Sequence, residues 1–68
     1  MSEYHCFFLD AADQVAATVT IRCRTEAEAQ TRADNILAAS NHAGVEIWIG
    51  GRSLYRSRKP GFYPGAIG

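Results

Sequence analysis

The sequence has little of what builds metal sites, membrane spans or strongly charged surfaces. Its two cysteines, Cys6 and Cys23, form no CxxC motif and no Cys/His pair at zinc-ligand spacing, so we expect no structural metal and no cofactor. No apolar run approaches the roughly 18 residues of a membrane span, so no membrane partner is expected. Seven basic residues balance seven acidic ones, and total charge therefore gives no argument for a polyanionic partner. The first residues lack the pattern of a signal peptide, which predicts a cytoplasmic protein.

The length of the chain limits both its fold and its core. Sixty-eight residues exclude Rossmann folds, TIM barrels and other folds with large pockets. Apolar residues make up 47% and charged residues 21%, a balance typical of a globular domain rather than a disordered chain. We expect one domain over residues 1–58 and an extended tail over 59–68, where proline and glycine are frequent. A core this small is marginal, which leaves oligomerisation as the available stabiliser.

The first half of the sequence predicts a β-hairpin. Residues 3–9 are rich in aromatic side chains, and residues 15–23 alternate between apolar and polar positions with a period of two. An even-length turn keeps apolar residues opposite apolar residues. The predicted pairs are Tyr4–Ile21, Cys6–Val19 and Phe8–Ala17 on one face, with Glu3–Arg22, His5–Thr20 and Phe7–Thr18 on the other. This register separates Cys6 from Cys23 by on the order of 13 Å, too far for a disulfide, and predicts two buried free thiols.

A single helix follows the hairpin. Thr25 and Glu28 form a capping-box pattern at its start, and the helix is expected to reach about Ser40. Asn41 and Gly44 are candidates for a left-handed cap at its end. The stripe expected to face the sheet consists of Ala29, Ala33, Ile36, Leu37 and Ser40.

A second hairpin closes the fold around Gly50-Gly51, and its register has two solutions. A two-residue turn pairs Ile49 with Arg52 and Ile47 with Leu54. A three-residue turn is preferred because its partners match better. Its pairs are Ile47–Tyr55, Trp48–Leu54 and Glu46–Arg56.

The element order β-β-α-β-β predicts an α+β fold with one helix on one face of a mainly antiparallel sheet. The uncovered face is expected to hold four large apolar side chains, which are Phe7, Leu9, Trp48 and Leu54. Monomers rarely expose a patch of that kind, so we expect a homodimer packed through this face. The alternative is that Phe62 and Tyr63 of the tail fold back and cover it within one chain.

Charge is distributed unevenly along the chain. Residues 1–46 carry seven acids against three arginines, a net charge of −4, and residues 47–68 carry four basic residues and no acid, a net charge of +4. The four basic residues are Arg52, Arg56, Arg58 and Lys59. Interleaved with aromatic residues, they suit phosphate contacts and base stacking on nucleic acid. The alternatives are a solvated, aggregation-resistant strand edge or contact with the acidic half of another protein.

No catalytic constellation is visible in the sequence. His5 and His42 are far apart in the predicted chain path, and both cysteines lie on the predicted interior face, where thiols are poor nucleophiles. We therefore expect a non-catalytic interaction or accessory protein. The competing prediction is a small nucleic-acid-binding or antitoxin-like regulator.

The sequence resembles two groups of known proteins. Tyr4-x-x-Phe7-Phe8-Leu9-Asp10, the helix start Thr25-Glu-Ala-Glu28-Ala, and Val45-Glu46-Ile47-Trp48-x-Gly50-x-Arg52-x-Leu54 resemble a set of small uncharacterised bacterial proteins, mostly alpha-proteobacterial. The match covers about residues 3–57 and implies a hairpin-helix-hairpin layout with no activity attached. The Thr-x-x-Glu-Ala helix after a hairpin is also similar to antitoxins of the HicB type, although their glycine- and proline-bearing strand loop is missing here.

Overall fold

The computed structural model describes residues 1–59, and these residues form the α+β fold expected from the sequence. The elements are β1 (Ser2–Leu9), β2 (Val15–Cys23), α1 (Glu26–Ala38), β3 (Gly44–Ile49) and β4 (Arg52–Arg58). The predicted tail, apart from Lys59, lies outside the described residues, as does the alternative in which Phe62 and Tyr63 cover the sheet. Within residues 1–59, the helix is too short and too polar to cross a membrane.

The four strands form one antiparallel sheet in the order β2-β1-β3-β4. The two central strands, β1 and β3, are apolar on both faces at several positions, which suits strands that are paired along both edges. The two edge strands are β2, rich in threonine and alanine, and β4, rich in arginine. The helix packs across one face of this sheet, and the opposite face remains uncovered by it.

The first hairpin has the predicted register. All six predicted pairs, from Glu3 opposite Arg22 to Phe8 opposite Ala17, are present. A bulge then places Leu9 opposite Val15, so that Ala16 is the extra residue. Cys6 and Cys23 are both buried and both free, as this register predicted.

The turn between β1 and β2 is organised by one aspartate. Oδ1 of Asp10 accepts hydrogen bonds from the backbone N–H groups of Ala12 (2.8 Å) and Gln14 (3.0 Å). These bonds hold Asp13 in the left-handed region at a φ of 65°. Asp tolerates that region better than most residues, because its short side chain bonds locally.

The helix begins as the sequence predicted. Thr25 Oγ1 accepts a hydrogen bond from the Glu28 N–H at 3.1 Å, and Glu28 Oε1 in turn accepts from the Arg24 N–H at 3.1 Å. The Glu28 side chain therefore reaches one residue further back than in the usual capping box, and the two bonds still satisfy two backbone donors.

The end of the helix differs from the prediction. Neither Asn41 nor Gly44 is left-handed, since among residues 1–59 positive φ values occur at Asp13, Gly50 and Gly51. Ser40 Oγ instead donates to the Leu37 carbonyl at 2.9 Å, which satisfies one of the free carbonyls of the last turn.

The second hairpin combines the two registers that the sequence left open. Gly50 and Gly51, at φ values of 56° and 80°, form a two-residue turn, and Ile49 pairs with Arg52. A bulge follows, and the three-residue pairing takes over with Ile47 opposite Tyr55. Leu54 is the extra residue of this bulge, so the preferred prediction was right beyond the bulge and wrong before it.

The core lies between the helix and the inner face of the sheet. It is built from Tyr4, Cys6, Phe8, Ile21, Cys23, Ala29, Ala33, Leu37, Val45 and Ile47. The two helix alanines contribute little area but allow the helix to approach the sheet closely. Ile36, which the predicted stripe included, is 37% exposed, because it lies at the border of the buried face.

Candidate functional site

The sheet face opposite the helix carries an aromatic pair at its centre. Phe7 and Trp48 are half-buried, and their rings meet edge to face with centroids 6.2 Å apart and planes at 87°. Pleating places them there, because their neighbours Phe8 and Ile47 enter the core on the other side. The open face is defined here by seven side chains: His5, Phe7, Thr18, Thr20, Glu46, Trp48 and Arg56.

Polar and charged groups surround the aromatic pair. His5 Nδ1 lies 3.2 Å from Thr20 Oγ1, within hydrogen-bond distance. On the other side, Glu46 accepts a hydrogen bond from Ser53 Oγ at 3.2 Å and lies opposite Arg56 in the sheet. An apolar centre with charges of both signs around it is the common anatomy of a protein interface.

The indole N–H of Trp48 is buried, and no acceptor among residues 1–59 binds it. Burying a donor without a partner costs free energy comparable to a lost hydrogen bond. The ring is therefore held against the sheet by packing, with its polar atom turned away from water.

Two of the four residues predicted for this face are not available on it. Leu54 packs against the core cluster on the helix side, because the bulge turns its side chain over. Leu9 is only 4% exposed. Leu9 pairs with Gly44 of β3, and Gly44 pairs in turn with Arg58 of β4, so the three residues form one row across the sheet. If Gly44 carried a Cβ atom, that atom would lie 3.4 Å from Cγ of Arg58. The arginine stem thus runs over this row on the Leu9 side.

Two of the four predicted basic residues, Arg56 and Arg58, lie together around Asp13. The sequence alone predicted no role for this acid. Arg56 lies 3.6 Å from Asp13 Oδ1, and Arg58 forms an ion pair with the same oxygen. This Asp13 cluster (Asp13, Arg56 and Arg58), together with Ser57, lines a shallow, open depression. The uneven charge distribution along the chain was the signal for such a contact, since it placed acids and arginines in opposite halves of the sequence.

The remaining two basic residues differ in their surroundings. Lys59 Nζ donates to the Ser40 carbonyl, and its backbone N–H donates to Ala43 at 2.8 Å, so this lysine ties β4 to the end of the helix. Arg52 is exposed beside the Gly50-Gly51 turn. The four residues therefore do not form one continuous basic strip.

The histidines and cysteines are separated in the fold. His42 stacks on Phe8 at 5.3 Å, whereas His5 lies on the open face. Burial raises the pKa of the Cys6 thiol, the nearby Cys23 raises it further, and Arg32 partly opposes both effects. A high pKa disfavours the reactive thiolate. Residues 1–59 also contain no group of three or more side chains arranged to hold a metal ion.

Comparison of the chain with protein-family models, with curated proteins and with solved structures finds no match. The resemblances to small bacterial proteins and to HicB-type antitoxins therefore stay predictions.

Proposed function

We propose that this protein is a small non-catalytic interaction protein that forms a homodimer through its open face. The observation that carries the proposal is the Phe7–Trp48 pair, which lies in the middle of the sheet face that the helix leaves uncovered. Tryptophan and other aromatic residues at the centre of a face, inside a polar surround, are the residue types that dominate binding energy at interfaces.

The charges around the aromatic pair favour a second copy as the partner. Glu46 lies opposite Arg56 on the open face, and at its border Glu3 Oε2 lies 3.8 Å from Arg22 Nε. The open face and this border thus offer equal numbers of acids and arginines. In a two-fold dimer each copy presents the same patch to the other, so a patch with both signs can pair with itself.

Nucleic-acid binding has less support from the geometry. Arg56 and Arg58 share the carboxylate of Asp13, and Lys59 is bound to a backbone carbonyl of its own chain. Phosphate binding would have to compete with these contacts. Because the contribution of phosphate contacts falls steeply with salt, such binding would be weak at physiological ionic strength.

The test uses the sole tryptophan of the chain as the reporter of the face. Sedimentation and the emission wavelength of Trp48 are measured over a hundredfold range of protein concentration. We expect the protein to form dimers, and the Trp48 emission to shift to shorter wavelength, over the same range of protein concentration. Phe7→Glu should shift the emission transition, which reports on the open face alone, to higher concentration by at least about tenfold, since it places a charge against the aromatic centre. Thr31→Glu, an exposed change on the helix, is the matched control.

Two results would contradict the homodimer. One is a monomer at every concentration. The other is a concentration-dependent shift of Trp48 emission that Phe7→Glu leaves at the same concentration although the variant has native circular dichroism. Fluorescence anisotropy of labelled oligonucleotides at low and high salt tests the competing function. Binding that disappears in the Arg56→Ala/Arg58→Ala/Lys59→Ala variant would favour the regulator instead.

A further inference from the structure

The two edges of the sheet are protected very differently. The β4 edge disfavours pairing with another strand, because it carries three arginines and a bulge at Leu54. The arginines are Arg52, Arg56 and Arg58. On β2, residues 15–21 read Val-Ala-Ala-Thr-Val-Thr-Ile, with no charge, proline or glycine. No described residue pairs with the outer edge of β2, and its bulge lies at one end, at Ala16. This is a long, β-branched edge of the kind that pairs with a further strand.

Exposed apolar side chains concentrate beside this edge. Val15 is 58% exposed, and Val19 and Ile36 are 37% exposed each. Ile36 lies one helical turn after Arg32, whose guanidinium donates to the Arg22 carbonyl at the end of β2. The helix thus presents Ile36 on the β2 side of the fold. A strand added next to β2 would bury these side chains as well as the free backbone groups.

Charge is polarised along β2. Asp10 precedes the strand, Arg24 follows it, and residues 14–21 carry no charge. Asp13 and Arg22 also flank this segment, but Asp13 is ion-paired with Arg56 and Arg58, and Arg22 is ion-paired with Glu3. Asp10 is exposed and accepts hydrogen bonds from backbone N–H groups, so its negative charge is not offset by a cation there. A second copy of this strand laid antiparallel brings the acidic start of each copy beside the basic end of the other. A parallel arrangement would oppose like charges.

We propose that β2 pairs antiparallel with β2 of a second copy, so that two four-stranded sheets join into one continuous sheet. The two-fold axis runs perpendicular to the sheet, which keeps both helices on the same face and gives an isologous contact. In any such register, residues of the helix side meet residues of the helix side. In the registers centred on Thr18 or Val19, threonines of the other face meet threonines or alanine, and Thr–Thr pairs are favourable across strands.

This contact goes beyond the proposed open-face dimer and does not depend on it. The open-face dimer is centred on Phe7 and Trp48 of the two central strands, whereas the β2 contact uses the backbone of an edge strand. The two can therefore fail separately. If both form, the protein assembles beyond a dimer at high concentration.

The first experiment is amide hydrogen exchange followed by NMR over a hundredfold range of protein concentration. In an antiparallel pair, alternate residues of an edge strand point their N–H groups outward. We expect the outward amides of residues 15–21 to exchange at least about tenfold more slowly at high concentration. An open-face dimer leaves these amides facing water. Equal exchange rates at all concentrations would overturn the proposal.

The second experiment uses variants in a background that lacks the open-face contact. Phe7→Glu alone should retain a concentration-dependent dimer through β2. Adding Val19→Lys should weaken that dimer by at least about tenfold, since a charge on an edge strand blocks pairing. Adding Thr31→Lys instead, on the exposed face of the helix, should leave it unchanged. Val15→Lys, at the most exposed apolar position of β2, repeats the test where the side chain is 58% exposed and a charge can reach water.

Three outcomes would reject the β2 contact. The first is a dimer in the Phe7→Glu background that Val19→Lys and Val15→Lys leave intact. The second is equal weakening by Thr31→Lys, which would show an effect of charge alone. The third is sedimentation of the Phe7→Glu variant into a broad range of sizes without a discrete dimer, which would mean unspecific edge aggregation.

Discussion

The hydroxyl of Tyr55 donates a hydrogen bond to Oδ2 of Asp34 across 2.9 Å and so joins the edge strand β4 to the helix. The other carboxylate oxygen, Oδ1, is buried, and no described group donates to it. The tyrosine is therefore the described donor that offsets the cost of burying this carboxylate. The contact also ties the helix to the β4 edge of the sheet.

Tyr55→Phe should lower the free energy of unfolding by about 1–3 kcal/mol, since it removes a hydrogen bond to a charged group and keeps the ring. Urea denaturation of the variant and the wild type measures the difference. Replacing Asp34 by Ala, which removes the acceptor, in both backgrounds completes a double-mutant cycle. An interaction energy of zero in that cycle would show that the hydrogen bond contributes nothing.

Thr25→Ala should lower the free energy of unfolding by about 1 kcal/mol, because it leaves the Glu28 N–H without its side-chain acceptor. Thermal and urea denaturation measure the loss. Thr31→Ala, an exposed change in the middle of the same helix, is the matched control and should be neutral or slightly stabilising. Equal losses at both positions would mean that Thr25 does not act as a cap.

Gly44→Ala should destabilise the fold by about 1–3 kcal/mol, because its Cβ would stand 2.8 Å from the Ser57 carbonyl oxygen and force β3 and β4 apart. The comparison is Gly50→Asn in the turn, where φ is positive but nothing lies within 4 Å of an added Cβ. Asn tolerates that backbone, so the turn variant should lose less. The reverse order would show that backbone conformation, not space, sets the need for glycine.

Asp13→Asn should lower stability by less than about 1 kcal/mol at low salt, and added salt should shrink the loss. The change removes the carboxylate charge that Arg56 and Arg58 share while keeping a residue that accepts the left-handed backbone. Urea denaturation at two ionic strengths measures both effects. A loss that does not change with salt would assign the role of Asp13 to the turn rather than to the arginines.

The raised pKa of Cys6 predicts a loss of stability in alkali. The buried thiol favours its protonated form, so its contribution is fully present below the ordinary thiol pKa, near 9.0. It is lost as the pH rises from there through the raised pKa of the folded state. The slope contributed by one such group is at most about 1.4 kcal/mol per pH unit. Cys6→Ala should be less stable at neutral pH but should lose less between neutral and alkaline pH than the wild type does.

The alternation of residues 15–23 was sufficient to predict the register of the first hairpin, because a slip of one residue would have opposed apolar and polar side chains along the whole strand. The second hairpin offered no such constraint. Its residues allowed two registers, and a bulge at Leu54 accommodates both, so a choice between them was bound to misplace that side chain.

The Asp13 cluster could not be predicted from the sequence, because it depends on the order of the strands. Asp13 lies in the first turn and Arg58 at the end of the last strand, and they meet because the pairings of β3 place the end of β1 and the end of β4 in one row of the sheet. Local patterns indicate which residues form strands and which face they present. They carry no information on which strands become neighbours, which is decided by packing across the whole chain.

The strand order also determines how the chain can assemble. The sheet consists of two hairpins, each formed by strands adjacent in sequence. They meet where β1 pairs with β3, and we call this junction the seam. Its five residue pairs run from His5–Trp48 to Leu9–Gly44. Each hairpin closes a short loop, whereas pairing of β1 with β3 closes a loop that contains β2 and the helix, and we therefore expect this pairing to form more slowly than the hairpins. A chain cut near Asn41 would separate the molecule into two pieces that share this seam. Their reassembly on mixing would measure directly how strongly the seam holds the two hairpins together.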